Sequence, residues 1–359
     1  QHPEQRVVLH DDRRTLHART WDWLQDPAHT LVPLGDPLYP AALLERHDPP
    51  LLLHAQGSLA ALSRPQLAII GSREATAQGQ DTARHFAARL AAEGIVIVSG
   101  LAMGIDAQAH EGALEGAVRG QPATIAVVGT GLDRCYPARH AGLARRIAAG
   151  GLLLSEFPLG TAPHPTHFPR RNRLIAHLAA GTLVVEAALR SGSLITARQA
   201  LDAGREVMAV PGSVLSPQSR GCHGLIRDGA ALVETPRQVM ELLGGRDGWP
   251  EVAPLPPEPA PPRRRGTRPD LPDETPLSEG DPPPPGHAAV RGLPAPADAS
   301  ALECRVLDAL GLDPVGLDTL VVRTGLQAQE LSAHLLAMEL QAWVARLPGG
   351  RFQRRAPAP

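Results

Sequence analysis

The 359-residue sequence contains no lysine; all 35 of its basic residues are arginine. That absence excludes a phosphate-loop lysine, a pyridoxal phosphate Schiff base and any catalytic amine other than the N-terminus. Cysteine is scarce: Cys135, Cys222 and Cys304 are odd in number and far apart, which suits neither a disulfide framework nor a zinc site. A reduced, cytoplasmic protein without metal or cofactor is the expectation. No apolar run approaches the length of a membrane-spanning helix, and the first residues lack a basic stretch followed by an apolar one, so no membrane association is expected. The sequence starts at Gln1 rather than at methionine, so further residues upstream are expected. A formal net charge of −2 means that bulk charge does not announce a polyanionic ligand. Any basic site must be a local cluster: residues 66–236 hold 16 Arg against 13 Asp plus Glu.

What is present has a clear order. Residues 1–64 carry Trp21, Trp23 and a proline-punctuated stretch with little clear periodicity and read as a small N-terminal module. From Leu67 onward, short apolar runs alternate with helical stretches: Leu67 to Gly71, Ile95 to Gly100, Thr124 to Gly129, Leu152 to Glu156, Leu183 to Ala187 and Val207 to Pro211. Six such runs separated by helices predict βαβ units, hence an α/β domain over 65–246 with a parallel sheet covered on both faces. Residues 247–299 hold 16 of the 37 prolines and cannot bury enough apolar surface to offset their ordering entropy, so a disordered tether is expected there. Over 300–355, helical patterns at Leu302 to Leu310, Leu317 to Thr324 and Gln327 to Leu340 precede a Gly349-Gly350 turn, the outline of a winged helix.

The densest cluster is Phe168-Pro-Arg-Arg-Asn-Arg173, which puts three guanidinium groups within four residues where a helix should begin. A helix start offers free backbone N–H groups and a positive dipole end, and arginine adds bidentate phosphate recognition. Nearly every predicted strand ends in a small or polar loop, at Gly71-Ser-Arg73, Ser99-Gly-Leu-Ala-Met-Gly-Ile-Asp106, Gly129-Thr-Gly131, Ser191-Gly-Ser193 and Pro211-Gly-Ser213. In an open parallel sheet, ligands bind outside the carboxyl ends of the strands. Any one of these glycine loops, taken alone, reads first as a tight strand-to-helix turn. Together they carry Arg73, Arg139, Arg170, Arg171, Arg173 and Arg190 toward one rim, with Phe168 beside the cations. Rings that stack bases and arginines that pair phosphates imply single-stranded DNA as ligand. Arg173 is alternatively a structural partner of Glu156 or Glu186. Asp106, His110, Glu111, Glu156 and Glu186 supply acids and bases, yet no nucleophile, base and orienter can be assigned from spacing; His110 and Asp106, four residues apart, are expected to pair on a helix surface.

In this order, the motifs resemble the DNA-processing protein A family of bacterial natural transformation, known as DprA or Smf. Gly71-Ser-Arg73, Ser99 to Asp106 with Ala109-His110, Gly129-Thr-Gly-Leu-Asp133 with Tyr136-Pro137, Ser155-Glu156, Phe168 to Arg173, Glu186, Ser191-Gly-Ser-Leu-Ile-Thr-Ala197 and Pro211-Gly212 follow the family's sequence of motifs over about residues 66–234. The resemblance implies an extended Rossmann fold that binds single-stranded DNA without turnover, as a homodimer, with residues 1–64 as a small N-terminal helical module and 301–355 as a winged-helix-like domain. It implies protection of incoming strands and loading of the RecA recombinase, with single-strand binding protein as a further partner. The candidate DNA-contacting set is Gly71, Ser72, Arg73, Gly100, Gly104, Gly129, Gly131, Arg139, Phe168, Arg170, Arg171, Asn172, Arg173, Ser191, Gly192 and Ser193. Where several members carry a lysine soon after the Tyr-Pro pair, this chain has Ala138 and Arg139.

Two rival readings stay open. Phosphoribohydrolases share a related core but resemble Pro-Gly-Gly-x-Gly-Thr-x-x-Glu, whereas Arg190-Ser-Gly-Ser-Leu-Ile-Thr-Ala-Arg198 ends without an acid. A protein-interaction scaffold with a vestigial cleft is the other. The winged-helix region departs from a DNA reader, since its presumed recognition helix, Gln327 to Leu340, holds Glu330 and Glu339 and no arginine. Leu331, Leu335 and Met338 read as its core stripe, leaving protein binding, or DNA contact only through Arg346, Arg351, Arg354 and Arg355.

Overall fold

The computed structural model describes residues 15–244, 296, 299–311, 314–347 and 350–355. Among these, nine strands form one sheet in the order β1-β2-β6-β5-β4-β3-β7-β8-β9. Its parallel centre is built from β3 (Gln66–Ile70), β4 (Val96–Ser99), β5 (Thr124–Val127), β6 (Leu152–Ser155), β7 (Gly181–Val184), β8 (Glu206–Ala209) and β9 (Ala231–Leu232). Strands β3 to β7 are buried at every position, as their continuous apolar sequence requires of strands covered on both faces. Along β3 the side chains alternate: Leu67 and Ile69 enter one core, Ala68 and Ile70 the other.

Helices α3 (Ala77–Ala92), α4 (Ile105–Glu115) and α9 (Pro236–Leu242) pack on the Leu67 side, with α5 (Ala141–Gly150) closing that layer near β6. On the Ala68 side lie α2 (Ala41–Leu44), α6 (His167–Leu178), α7 (Ser193–Asp202) and α8 (Arg220–Arg227). The expected boundary near residue 64 does not separate two bodies. A helix at 15–23 (α1) leads into β1 (His29–Pro33), and β2 (Leu52–Gly57) pairs antiparallel with both β1 and β6. The physical reason is the edge of β6, whose backbone groups need partners that β2 supplies. The Trp23 ring stacks on His29 at 4.2 Å, fixing α1 to the added hairpin.

The C-terminal unit consists of α10 (Ala301–Leu310), α11 (Leu317–Thr324), α12 (Ala328–Leu340) and a three-stranded sheet of β10 (Val315–Gly316), β12 (Arg351–Arg354) and β11 (Val344–Leu347), a winged helix as expected. Ser300 and Glu303 cap α10 reciprocally, and Leu331, Leu335 and Met338 are fully buried on α12. Arg323 of α11 reaches Asp81 of α3 at 2.6 Å. The tether expected over 247–299 lies, apart from residues 296 and 299, outside the described residues.

Candidate nucleic-acid interface

The sheet reverses direction of growth at β3, with β4 on one side and β7 on the other. The loops leaving β3 and β7 therefore part at a switch point, the place where open α/β sheets bind ligands. They are tied together there: the Ser72 N–H donates to the Glu186 carbonyl at 2.6 Å, and the Ile105 N–H donates to the Ser72 carbonyl at 3.1 Å. The Glu186 carboxylate accepts from the Thr76 N–H (2.9 Å) and hydroxyl (2.6 Å), filling the N-terminal end of α3 with an internal anion.

Most glycines expected to approach phosphate instead let loops approach one another. A Cβ on Gly104, whose φ is +73°, would strike the Ser72 carbonyl, and one on Gly100 would lie 2.5 Å from the Arg171 guanidinium. Gly71 packs on Ile105, Gly131 on Pro158, and Gly129 on the Phe168 ring, while Gly192 faces open space. Beside Gly192 the Ser191 and Ser193 hydroxyls bond each other at 2.6 Å where α7 begins.

The arginine cluster divides. Residues 170, 171 and 173 lie on the second turn of α6 rather than ahead of it, so helical periodicity sends them in different directions. Arg170 is exposed and shares Glu156 at 3.3 Å. Arg171 is 3% exposed; its Nη1 donates to the carbonyls of Gly100 (2.5 Å) and Val127, and its Nε to Asn172 Oδ1 at 3.1 Å. Burial pulls its pKa down to about 10 against the opposing attraction of Asp106. Arg173 is also buried, bonded to the Glu156 carboxylate and, at 2.9 Å, to the Asp48 carbonyl. Arg171 and Arg173 therefore hold the strand ends together, and of the two partners weighed for Arg173 it is Glu156 that it meets. Asn172 is half-buried and orients Arg171.

Asp106 and His110 are not a surface pair. Asp106 is buried and accepts from the Gly100 N–H at 3.1 Å; burial holds its carboxyl above the usual range, with Arg171 pulling the other way. His110 is fully buried, and its Nδ1 contacts the Thr124 hydroxyl at 2.7 Å. Since that hydroxyl donates to the Ile97 carbonyl, Nδ1 carries the proton, and burial pushes the imidazole pKa down to about 3.

What remains exposed forms the rim. The Arg73 guanidinium lies 5.4 Å from the centre of the Phe168 ring, and Tyr136 meets the same ring at 5.5 Å. Arg139 lies against the Met103 sulfur on the neighbouring loop. Tyr136, Phe157 and His167 were absent from the set derived from sequence; the only signal for Tyr136 was its place in the Tyr-Pro pair, and for Phe157 its adjacency to Glu156.

The family model of DNA recombination-mediator protein A matches residues 30–244. Protein Smf of Escherichia coli is 40% identical over 334 residues, covering 93% of this chain and 79% of that protein.

The chain belongs to the DNA recombination-mediator protein A family.

The DprA winged helix domain model matches residues 289–350, in keeping with the C-terminal unit. Two solved family structures have the same core. DNA processing protein A of Streptococcus pneumoniae is 45% identical with a TM-score of 0.56, covering 59% of this chain and 73% of that one. That of Helicobacter pylori, described for its single-stranded DNA binding mode, is 31% identical with a TM-score of 0.54, covering 60% and 95%. The recombination-mediator match begins at residue 30, so the β1–β2 hairpin belongs to the family domain. Among the described residues, no helix is long and apolar enough to cross a membrane, and no cluster of three or more His, Cys, Asp or Glu could hold a metal.

Proposed function

We propose that this chain binds single-stranded DNA without base preference, protects incoming strands, and helps load the RecA recombinase in natural transformation, acting in the cytoplasm as a homodimer. Single-strand binding protein is the further partner of this reading, and no catalytic turnover belongs to it. The observation that carries it is the Tyr136–Phe168–Arg73 stack at the strand-end rim, flanked by the exposed Arg170 and Arg139. A ring beside a guanidinium stacks any base and pairs the adjoining phosphate, which duplex DNA, with its faces stacked inside, does not offer. The absence of an acid at the end of Arg190 to Arg198 supports binding over glycosidic hydrolysis.

Binding of purified protein to labelled poly-dT and to its duplex control, across a salt series, tests this. Arg73→Ala should weaken binding to all sequences alike and reduce the salt slope by about 1, and Phe168→Ala should cost about 1–3 kcal/mol. Equal affinity of wild type for single and double strands, or unchanged binding in both variants, would remove the proposal; release of free base from a nucleoside monophosphate would replace it.

A further inference from the structure

We infer that a second base-stacking subsite lies beside the Phe168 stack, built on His164 and supported by His167, Phe157 and Arg170. It rests on the single-strand reading of the rim and extends it by naming where the strand goes next.

The Phe157 ring is buried, and the His167 imidazole stacks on it with centroids 4.4 Å apart and planes 28° from parallel. His164 follows at 5.4 Å from His167 and is exposed. Three rings thus climb from the core to the surface at the N-terminal end of α6. Adjacent residues on a helix diverge by about 100°, so His167 and Phe168 hold two separate stacks rather than one. The lower part of the new stack is anchored: Gly129 offers only a carbonyl to His167 Nδ1, at 3.2 Å, so Nδ1 donates and the ring is fixed to the end of β5.

The outer ring is held as well. His164 stands between Pro163 and Pro165, each with a fixed φ, and its Nδ1 lies 2.7 Å from the Thr166 hydroxyl and 3.4 Å from the Thr166 N–H. A surface histidine free to rotate would lose that freedom on stacking; this one has lost much of it already, which favours binding. The cation needed for the adjoining phosphate is in place, since the Arg170 guanidinium lies 5.4 Å over the Phe157 ring and is itself exposed. Ring and arginine recur here in the same combination as Phe168 with Arg73. The ligand is an unpaired nucleotide: a base on the His164 face and its phosphate toward Arg170.

A ladder of poly-dT oligonucleotides, lengthened one nucleotide at a time, tests this with the full chain, comparing wild type with His164→Ala and His164→Trp. His164 is exposed, so its loss leaves the core packing intact. Affinity of wild type should rise with length until both stacks are filled. His164→Ala should bind the shortest oligonucleotides like wild type, reach its plateau at a shorter length, and bind the long ones about tenfold more weakly. His164→Trp should keep the wild-type plateau, and Phe168→Ala should lose affinity at every length. An unchanged length profile in His164→Ala, or an equal loss at all lengths, would overturn the subsite while leaving the single-strand reading intact. Failure of wild type to bind at any length would overturn both.

Discussion

Arg171 offers the sharpest test of how this rim is built, because a buried guanidinium and a DNA-contacting one respond oppositely to removal. Burial draws its pKa down from the ordinary arginine value to about 10, roughly 3 kcal/mol of cost for holding the charge in the protein. That cost is borne because the cation faces Asp106 and satisfies the carbonyls of Gly100 and Val127. Arg171→Met keeps much of the volume and removes the charge, leaving the buried Asp106 carboxylate with the backbone N–H donors of Gly100 and Ala102 and the lesser attraction of Arg73. The change takes a charge from the field of a buried carboxylate and a donor from the carbonyls of Gly100 and Val127, a loss comparable to breaking a buried charge pair from one side, about 3–5 kcal/mol, read in urea unfolding followed by circular dichroism.

The loss should depend on pH. The Asp106 carboxyl sits above its unfolded value, so the folded state binds its proton more tightly, and the destabilisation from this group grows as pH rises through the folded pKa and fades below it. Without Arg171 that pKa moves higher still, so the variant should be closest to wild type in acid. Arg171→Met combined with Asp106→Asn should lose less than the sum of the single changes, since no unpaired charge is left. An Arg171→Met protein within about 1 kcal/mol of wild type, yet unable to bind poly-dT, would refute the structural role and return Arg171 to the contacting set.

Three further outcomes follow from the geometry. His110, neutral in the fold down to about pH 3, takes up a proton on unfolding below its ordinary 6.5, so stability falls as pH drops from 6.5 toward 3; the contribution at pH 5 is about 2 kcal/mol, and His110→Met should flatten that part of a stability-versus-pH curve. Gly79→Ala would press a methyl group into the Glu186 carboxylate and displace it from Thr76, a net loss of about 1–2 kcal/mol visible as a lower thermal midpoint even though alanine favours the helix. Deleting 301–359 should leave most poly-dT affinity in place, because α12 presents Glu330 and Glu339 without an arginine; loss of most binding in filter or anisotropy titrations would contradict this.

The fold was largely legible because its parallel strands are buried on both faces and read as unbroken apolar runs, from Leu67-Ala-Ile-Ile70 to Leu152-Leu-Leu154. The run expected at Leu183 to Ala187 sits two residues earlier, at Gly181–Val184, since pairing with β3 and β8 and not composition sets its start. The β1–β2 hairpin was not legible: a strand whose partner, β6, lies nearly a hundred residues away carries no local signal of that pairing. The gathering of Arg73, Arg139 and Phe168 near the strand ends was legible, the separate positions of the three α6 arginines less so. Arg170, Arg171 and Arg173 look alike in sequence, and only the turn of α6 decides which one faces outward. His110 and Asp106 fit a surface pair by spacing, but α4 packs between α3 and α5, so that face is interior.

The arrangement at Glu156 has a kinetic consequence. Its carboxylate, 3% exposed, meets two cations, one buried with it and one reaching in from solvent. Under the proposed function, a phosphate that drew Arg170 away would leave Arg173 still neutralising the acid, and the core with no bare charge. On that reading the outer arginine would change hands between the protein's own anion and a passing one with little rearrangement behind it, and the proposed strand would be taken up and handed on at low activation cost.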